Sequence, residues 1–281
     1  MSTNEEDFVK QLFVASSKDY LLIFTNQGVV RWLKVYEIPI ASKTAKGKNI
    51  VNLLSIGKDE QISSIVAVKD FSEGLSVVMA TANGNVKKTK LSAFSNPRRG
   101  GIVGMTLDKS DRLIGTALSN GKYEILLATK KGKSLRFAEK NIRDMGRSAR
   151  GVRGIRLGDK DEVVSMLVFP PDVAKTGSTL LTVMALGYCK RSNFENYRTQ
   201  SRGGKGIINV KVTDRNGVVV GALPVMEDDE IMAITKNGMI VRCSSKDVRE
   251  TGRSSQGVKL ISLKKDDKVT SVANVVSGRD E

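Results

Sequence analysis

The chain contains no histidine. That absence removes imidazole acid–base chemistry, Ser–His and Cys–His nucleophile pairs, and imidazole metal ligation together. Cysteine is nearly missing as well. Cys189 and Cys243 fit neither a CxxC motif nor a zinc spacing, so they read as free thiols in a reducing cytoplasm. Aromatic residues are 5% of the chain and Trp32 is the only tryptophan, which leaves no stacking platform for a single-strand reader. No apolar run approaches the length of a membrane-spanning helix, and no signal-peptide pattern opens the chain, so no membrane partner is expected. Acidic residues are outnumbered, 30 against 46 Lys and Arg. The formal charge of +16 over 281 residues points to a polyanionic partner.

What the chain does have is a repeat. Gly28, Gly84, Gly132, Gly187 and Gly238 recur about every 50 residues, the spacing of a propeller or other blade array. Fifteen residues beyond each glycine stands a cation: Lys43, Arg99, Arg147, Arg202 and Arg253. Ten residues beyond each is an apolar or aromatic residue (Ile38, Phe94, Ile142, Tyr197, Val248), expected in the core. Three residues before each is Thr25, Thr81, Thr129 or Thr235, with Met184 the exception. A second glycine follows at Gly47, Gly101, Gly151, Gly206 and Gly257.

Each repeat opens with alternating apolar residues, such as Leu22 and Phe24 or Met232 and Ile234, that end at the anchor glycine. Period two closed by a turn is the strand signal. Asn83-Gly84 and Asn237-Gly238 suggest type I′ hairpin turns, with Asn120-Gly121 and Asn216-Gly217 between other strands. Gln27-Gly28, Lys131-Gly132 and Leu186-Gly187 fill the same slot less ideally. These signals predict one all-β domain over 1–281, a propeller-like array of about four strands per repeat. The approximate repeats are 8–60, 61–110, 111–158, 159–212 and 213–276.

The cations gather in the loops between the two glycines. The candidate DNA contacts there are Lys43, Lys46, Lys48, Arg98, Arg99, Arg147, Arg150, Arg153, Arg198, Arg202, Lys205 and Arg253. A second basic set flanks the hairpins, and from it Lys87, Lys88, Arg136, Lys190, Arg191 and Arg242 join the candidates. A lone lysine in a loop would be an ordinary solvated charge. Five cations in register on successive blades favour a shared ligand, and the scarcity of aromatics favours duplex backbone over single strand. A straight duplex touches only two or three blades of a ring, so engaging all of them requires wrapping. An acidic protein docking on a propeller-like scaffold is the competing reading.

Other motifs carry nothing. Gly132-Lys133-Ser134 lacks the Walker glycine, since Leu127 stands at that position. Gly203-Gly204-Lys205-Gly206 is too short for a nucleotide site, and Asp228/Asp229 and Asp266/Asp267 read as solvated loop residues. No catalytic or metal constellation is expected.

Glu6-Asp7-Phe8-Val9, Leu33-Lys34-Val35-Tyr36-Glu37-Ile38-Pro39, Val51-Asn52-Leu53-Leu54, Met79-Ala80-Thr81-Ala82-Asn83-Gly84 and Gly151-Val152-Arg153-Gly154-Ile155-Arg156-Leu157 resemble the C-terminal domain of the bacterial DNA gyrase A protein. The C-terminal domain of the topoisomerase IV A protein is the close relative. The resemblance implies a β-pinwheel, in which neighbouring blades exchange strands and DNA wraps a basic perimeter to support ATP-dependent negative supercoiling. It implies a monomeric domain working with gyrase B and the rest of gyrase A in an A2B2 assembly in the bacterial cytoplasm. ATP and Mg would be used elsewhere in that assembly, with no cofactor in this domain. None of Tyr20, Tyr36, Tyr123, Tyr188 or Tyr197 would be the cleavage tyrosine. The family's Gln-Arg-Arg-Gly-Gly-x-Gly box finds its nearest match in Gln200-Ser201-Arg202-Gly203-Gly204-Lys205-Gly206, with serine in place of the second arginine. With five repeats against the family's usual six, the resemblance implies a piece that begins just after the box.

Overall fold

The structure, a computed structural model, describes residues 15–41, 50, 53–57, 59–71, 73–264 and 266–275. It is all-β apart from short 3-10 turns. The first blade has the strand order β3 (Ile62–Val68), β1 (Tyr20–Thr25), β2 (Val29–Lys34), β6 (Ile102–Val103). The second orders β7 (Leu113–Ser119), β4 (Ser76–Thr81), β5 (Asn85–Lys90) and β10 (Val152–Arg153). In the third are β11 (Val163–Phe169), β8 (Glu124–Thr129), β9 (Lys133–Ala138) and β14 (Ile207–Ile208). The fourth has β15 (Val219–Val225), β12 (Thr179–Met184), β13 (Tyr188–Asn193) and β18 (Val258–Lys259). The fifth is three-stranded: β19 (Val269–Val275), β16 (Glu230–Thr235), β17 (Ile240–Ser244).

Every pairing between these strands is antiparallel, and each four-stranded blade takes its two-residue outer strand from the following repeat. This is the strand exchange of a pinwheel. The inner strands pack in succession, β3 on β7, β7 on β11, β11 on β15 and β15 on β19. No comparable packing joins β19 to β3 among the described residues. Small residues line the central opening where the five inner strands converge, among them Ser64, Gly115, Ser165, Gly221 and Ser271.

The hairpin turns differ from the type I′ expectation. Gly84 N–H donates to Thr81 O at 3.0 Å, so Ala82 and Asn83 are the central residues and Gly84 follows them. Among the described residues only Lys160 and Asp266 have positive φ without being glycine, so Asn83 and Asn237 are right-handed. The turn is a tight bend followed by a left-handed glycine, as in a glycine bulge. Only the glycine is demanding, which is why Gln27, Lys131 and Leu186 serve as well as asparagine before it. The recurrent threonine closes the same turn: Thr25, Thr81, Thr129 and Thr235 Oγ1 accept the N–H four residues on, at 3.3, 3.2, 3.1 and 3.2 Å.

The anchor glycine also ties one repeat to the next. Gly84 O accepts Gly154 N–H at 2.7 Å and Ile155 N–H at 3.2 Å, just beyond the outer strand β10. A Cβ on Gly84 would lie 2.9 Å from Ile155 Cγ2, so a side chain would push the exchanged segment away. Gly28, Gly132 and Gly187 make the equivalent paired bonds to Gly104/Met105, Asn209/Val210 and Leu260/Ile261.

The apolar cores lie between blades. Phe94, Ile142, Tyr197 and Val248, ten residues past their glycines, are at most 1% exposed and pack with side chains of the preceding blade. Ile38 departs from the expected core position and is 38% exposed. It belongs to the first repeat, and no earlier blade among the described residues is there to cover it. The fifth blade shows the converse. Val30, Val86, Ser134 and Cys189 are buried beneath exchanged outer strands, whereas Ile240, their counterpart on uncovered β17, is 38% exposed.

Candidate nucleic-acid interface

In the second to fifth repeats, the loop after the 3-10 turn at Leu91–Phe94, Glu139–Asn141, Phe194–Asn196 or Ser245–Asp247 leaves the core, carries the cation fifteen residues past the anchor glycine, and returns as the outer strand of the previous blade. It therefore runs along the outer edge of the blade. Arg98, Arg99, Arg150, Arg153, Arg198 and Lys205 are exposed there, with Arg147, Arg202 and Arg253 half-buried. The half-burial has a cause. Arg202 donates from Nε to Asn141 O at 3.1 Å and from Nη1 to Arg153 O at 2.5 Å. Arg253 Nη1 donates to Ile208 O at 2.5 Å. Arg147 lines one surface depression with Val103. The recurring arginine is thus set against the outer strand of the neighbouring blade. A guanidinium has five N–H donors, so one or two backbone bonds orient the fork and leave donors for an anion. Arg150 is held 3.0 Å from Asp108, an exposed pair of small energetic weight.

Lys43, Lys46 and Lys48 lie outside the described residues. The hairpin-flanking cations require a correction, because the structure turns most of them inward. Lys87 and Lys190 are fully buried. Lys87 Nζ donates to the carbonyls of Gly104, Gly146 and Arg147, and Lys190 Nζ to those of Asn209 (2.6 Å), Gly252 (3.2 Å) and Arg253. Each ammonium thereby fastens the loop that carries the next repeat's arginine. Burial lowers Lys87 to about 8 and Lys190 to about 7, and Arg147 and Arg253 respectively push the same way. The carbonyl cage opposes this by favouring the charged form.

Lys88, Arg136 and Arg191, one position later, are also buried. Lys88 lies 3.6 Å from both Glu139 and Asp144. Arg136 pairs with Glu124 and donates to Phe194 O (3.0 Å) and Tyr197 O (3.3 Å), while Arg191 Nε donates to Val248 O at 2.7 Å. Trp32, in the same register, donates its indole N–H to Phe94 O at 2.9 Å. These side chains clamp the next repeat's 3-10 turn and offer little surface to a ligand. Arg242 remains exposed but pairs with Glu230. Lys259 and Arg156, absent from the candidate set, are exposed on or beside the outer strands. Their signal was the position two residues past the second glycine for Lys259, and the residue ending the Gly-Val-Arg-Gly-Ile-Arg run for Arg156.

Among the described residues no group of His, Cys, Asp and Glu could hold a metal ion, and no helix is long and apolar enough to cross a membrane. Five stretches, 19–69, 76–120, 123–170, 180–226 and 229–275, match the family described as "DNA gyrase C-terminal domain, beta-propeller". The chain belongs to that family. Among curated relatives of this gyrase C-terminal domain, the DNA gyrase A protein of Escherichia coli (strain K12) is 45% identical over 277 residues, covering 99% of this chain and 31% of the relative. The DNA gyrase A protein of Mycolicibacterium smegmatis (strain ATCC 700084 / mc(2)155) is 39% identical over 271 residues, covering 96% and 32%. The chain thus spans about a third of the length of these relatives. Of solved structures, the C-terminal domain of DNA topoisomerase IV superposes with a TM-score of 0.84 at 26% identity, covering 92% of this chain and 80% of that one. The DNA gyrase A C-terminal domain superposes with a TM-score of 0.79 at 24% identity, covering 98% and 91%, which supports the shared fold.

Proposed function

We propose that this chain binds double-stranded DNA and wraps it around its outer edge, without catalysis of its own. The observation that carries this reading is the recurrence of an arginine at one register of the outer-edge loops, exposed at Arg99, half-buried at Arg147, Arg202 and Arg253, and oriented by backbone carbonyls at Arg202 and Arg253. Bending 20–30 base pairs by 40–90° costs about 1–6 kcal/mol. Counterion release from several phosphates per blade offsets that cost and gives little sequence preference. In this reading the domain serves a cytoplasmic gyrase assembly of two A and two B subunits. Its other parts would supply the ATP site, Mg and the cleavage tyrosine, and the wrap would direct strand passage toward negative supercoils.

The test is nicked plasmid religated in the presence of the protein. A shift in linking number at saturation is expected, and none would remove wrapping from the account. Reversing Arg99, Arg147 and Arg202 together to glutamate should abolish duplex binding near physiological salt. If affinity survives the triple change, these arginines are not the DNA contact, and docking of an acidic protein becomes the better account. The resemblance to topoisomerase IV favours a second reading, recognition of a DNA segment without a full wrap. Duplex binding with no linking-number shift would select it.

A further inference from the structure

In each two-residue outer strand, pleating sends the first residue inward and the second outward. Ile102, Val152, Ile207 and Val258 are the inward set, packed on the interblade cores. The outward set reads Val103, Arg153, Ile208, Lys259 from first blade to fourth: aliphatic, cationic, aliphatic, cationic. Cations are unremarkable on this edge, but Val103 is 49% exposed and Ile208 50%. Isolated apolar residues on a surface are common. Strand propensity does not select these two, since arginine and lysine fill the same register in equivalent strands.

Their surroundings are alike. Val103 lines one depression with Arg98 of its own loop and Arg147 of the next repeat. Ile208 holds Arg253 of the next repeat on its own carbonyl and pairs across the sheet with Lys133. Each aliphatic side chain therefore stands beside cations from two repeats. That grouping suits a minor groove, which is about 6 Å wide. Phosphates border it on both sides, and its walls are deoxyribose C–H groups. A cation on a phosphate gains by releasing counterions, a term that weakens with salt, whereas an aliphatic group gains by excluding water, a term that does not.

We propose that Val103 and Ile208 are non-ionic DNA contacts seated on the sugar edge of the minor groove at alternate blades, with Arg153 and Lys259 making purely ionic contacts at the others. This rests on the duplex-binding reading above. Four proteins decide it: the unsubstituted chain, V103S/I208S, the closer-shaped V103T/I208T, and R153S/K259S. Each is titrated onto a duplex between about 50 and 200 mM salt and tested on nicked plasmid.

The serine pair should lose about tenfold in affinity at every salt concentration, the scale of two half-exposed aliphatic groups left in water. Its salt slope should be unchanged and its linking-number shift smaller. The threonine pair should lose less, in the same manner. R153S/K259S should instead flatten the slope by about 1.8, at about 0.9 per phosphate contact. Unchanged affinity in both aliphatic variants overturns the proposal, as does a loss accompanied by a flatter slope. If the unsubstituted chain itself does not bind duplex, the functional reading fails first and separately.

Discussion

Replacing Lys190 by methionine isolates the buried ammonium as the fastening of a surface loop. The side chains are similar in length, so packing is conserved while three carbonyls, those of Asn209, Gly252 and Arg253, lose their donor. Hydrogen bonds to a charged group contribute about 1.5–3 kcal/mol each, a gross loss of about 5–9 kcal/mol. Methionine also removes the desolvation that lowers this lysine from its usual value near 10.4 to about 7, a relief of about 4–5 kcal/mol at about 1.4 kcal/mol per unit. The difference of these ranges is a net loss of about 0–5 kcal/mol, with its centre at about 2–3 kcal/mol. Urea unfolding followed by tryptophan fluorescence and far-UV circular dichroism measures it. Because the freed loop carries Arg253, duplex affinity should fall severalfold although Lys190 never reaches the surface. An unaltered urea midpoint together with unaltered affinity would refute the fastening role. A lower midpoint with unaltered affinity would refute the coupling between cage and surface.

Gly187→Ala should destabilise the fold by about 2 kcal/mol or more, since φ is +80° and the new methyl would overlap Ile261 O; thermal unfolding reports it. Cys189, buried and with its thiol pushed up to about 12, should resist iodoacetamide in the folded protein, while half-buried Cys243 reacts first, as read by mass spectrometry of peptides. Lys87 and Lys190 should make stability rise with pH above about 7, because the unfolded chain keeps protons on lysines up to about 10.4 that the folded chain has already shed. Cys189 acts oppositely above about pH 8.5, so the rise is best measured between about pH 7 and 8.5 as the difference between the unsubstituted chain and Lys190→Met.

The array was legible in the sequence because its architecture depends on residues with few substitutes. A left-handed glycine whose missing Cβ leaves room for the next repeat cannot be replaced cheaply, and the threonine before it is the oxygen that closes the turn. The turn geometry was not legible, because Asn-Gly is also the type I′ signature and only the φ of the asparagine distinguishes the two. The division of labour among cations was not legible at all. Lys87 and Arg99 are both basic residues near a repeat glycine, yet one is caged by carbonyls and the other exposed. What separates them is the next repeat: Lys87 lies in β5, against which the next repeat's turn and loop are folded, whereas Arg99 lies in a loop that stays at the outer edge. Ile38 departs for a related reason, since its counterparts are covered by side chains of the preceding blade and no such blade is among the described residues.

Strand exchange also changes what counts as a removable part of this molecule. Cutting out one sequence repeat would strip the outer strand from the blade before it, leave an interblade core open, and strand an arginine away from its carbonyl. The unit that could be lost or duplicated without raw edges is instead offset, running from one outer strand to the next. An array built this way should resist gradual shortening and melt as one body, since each of the first four blades is finished by its successor.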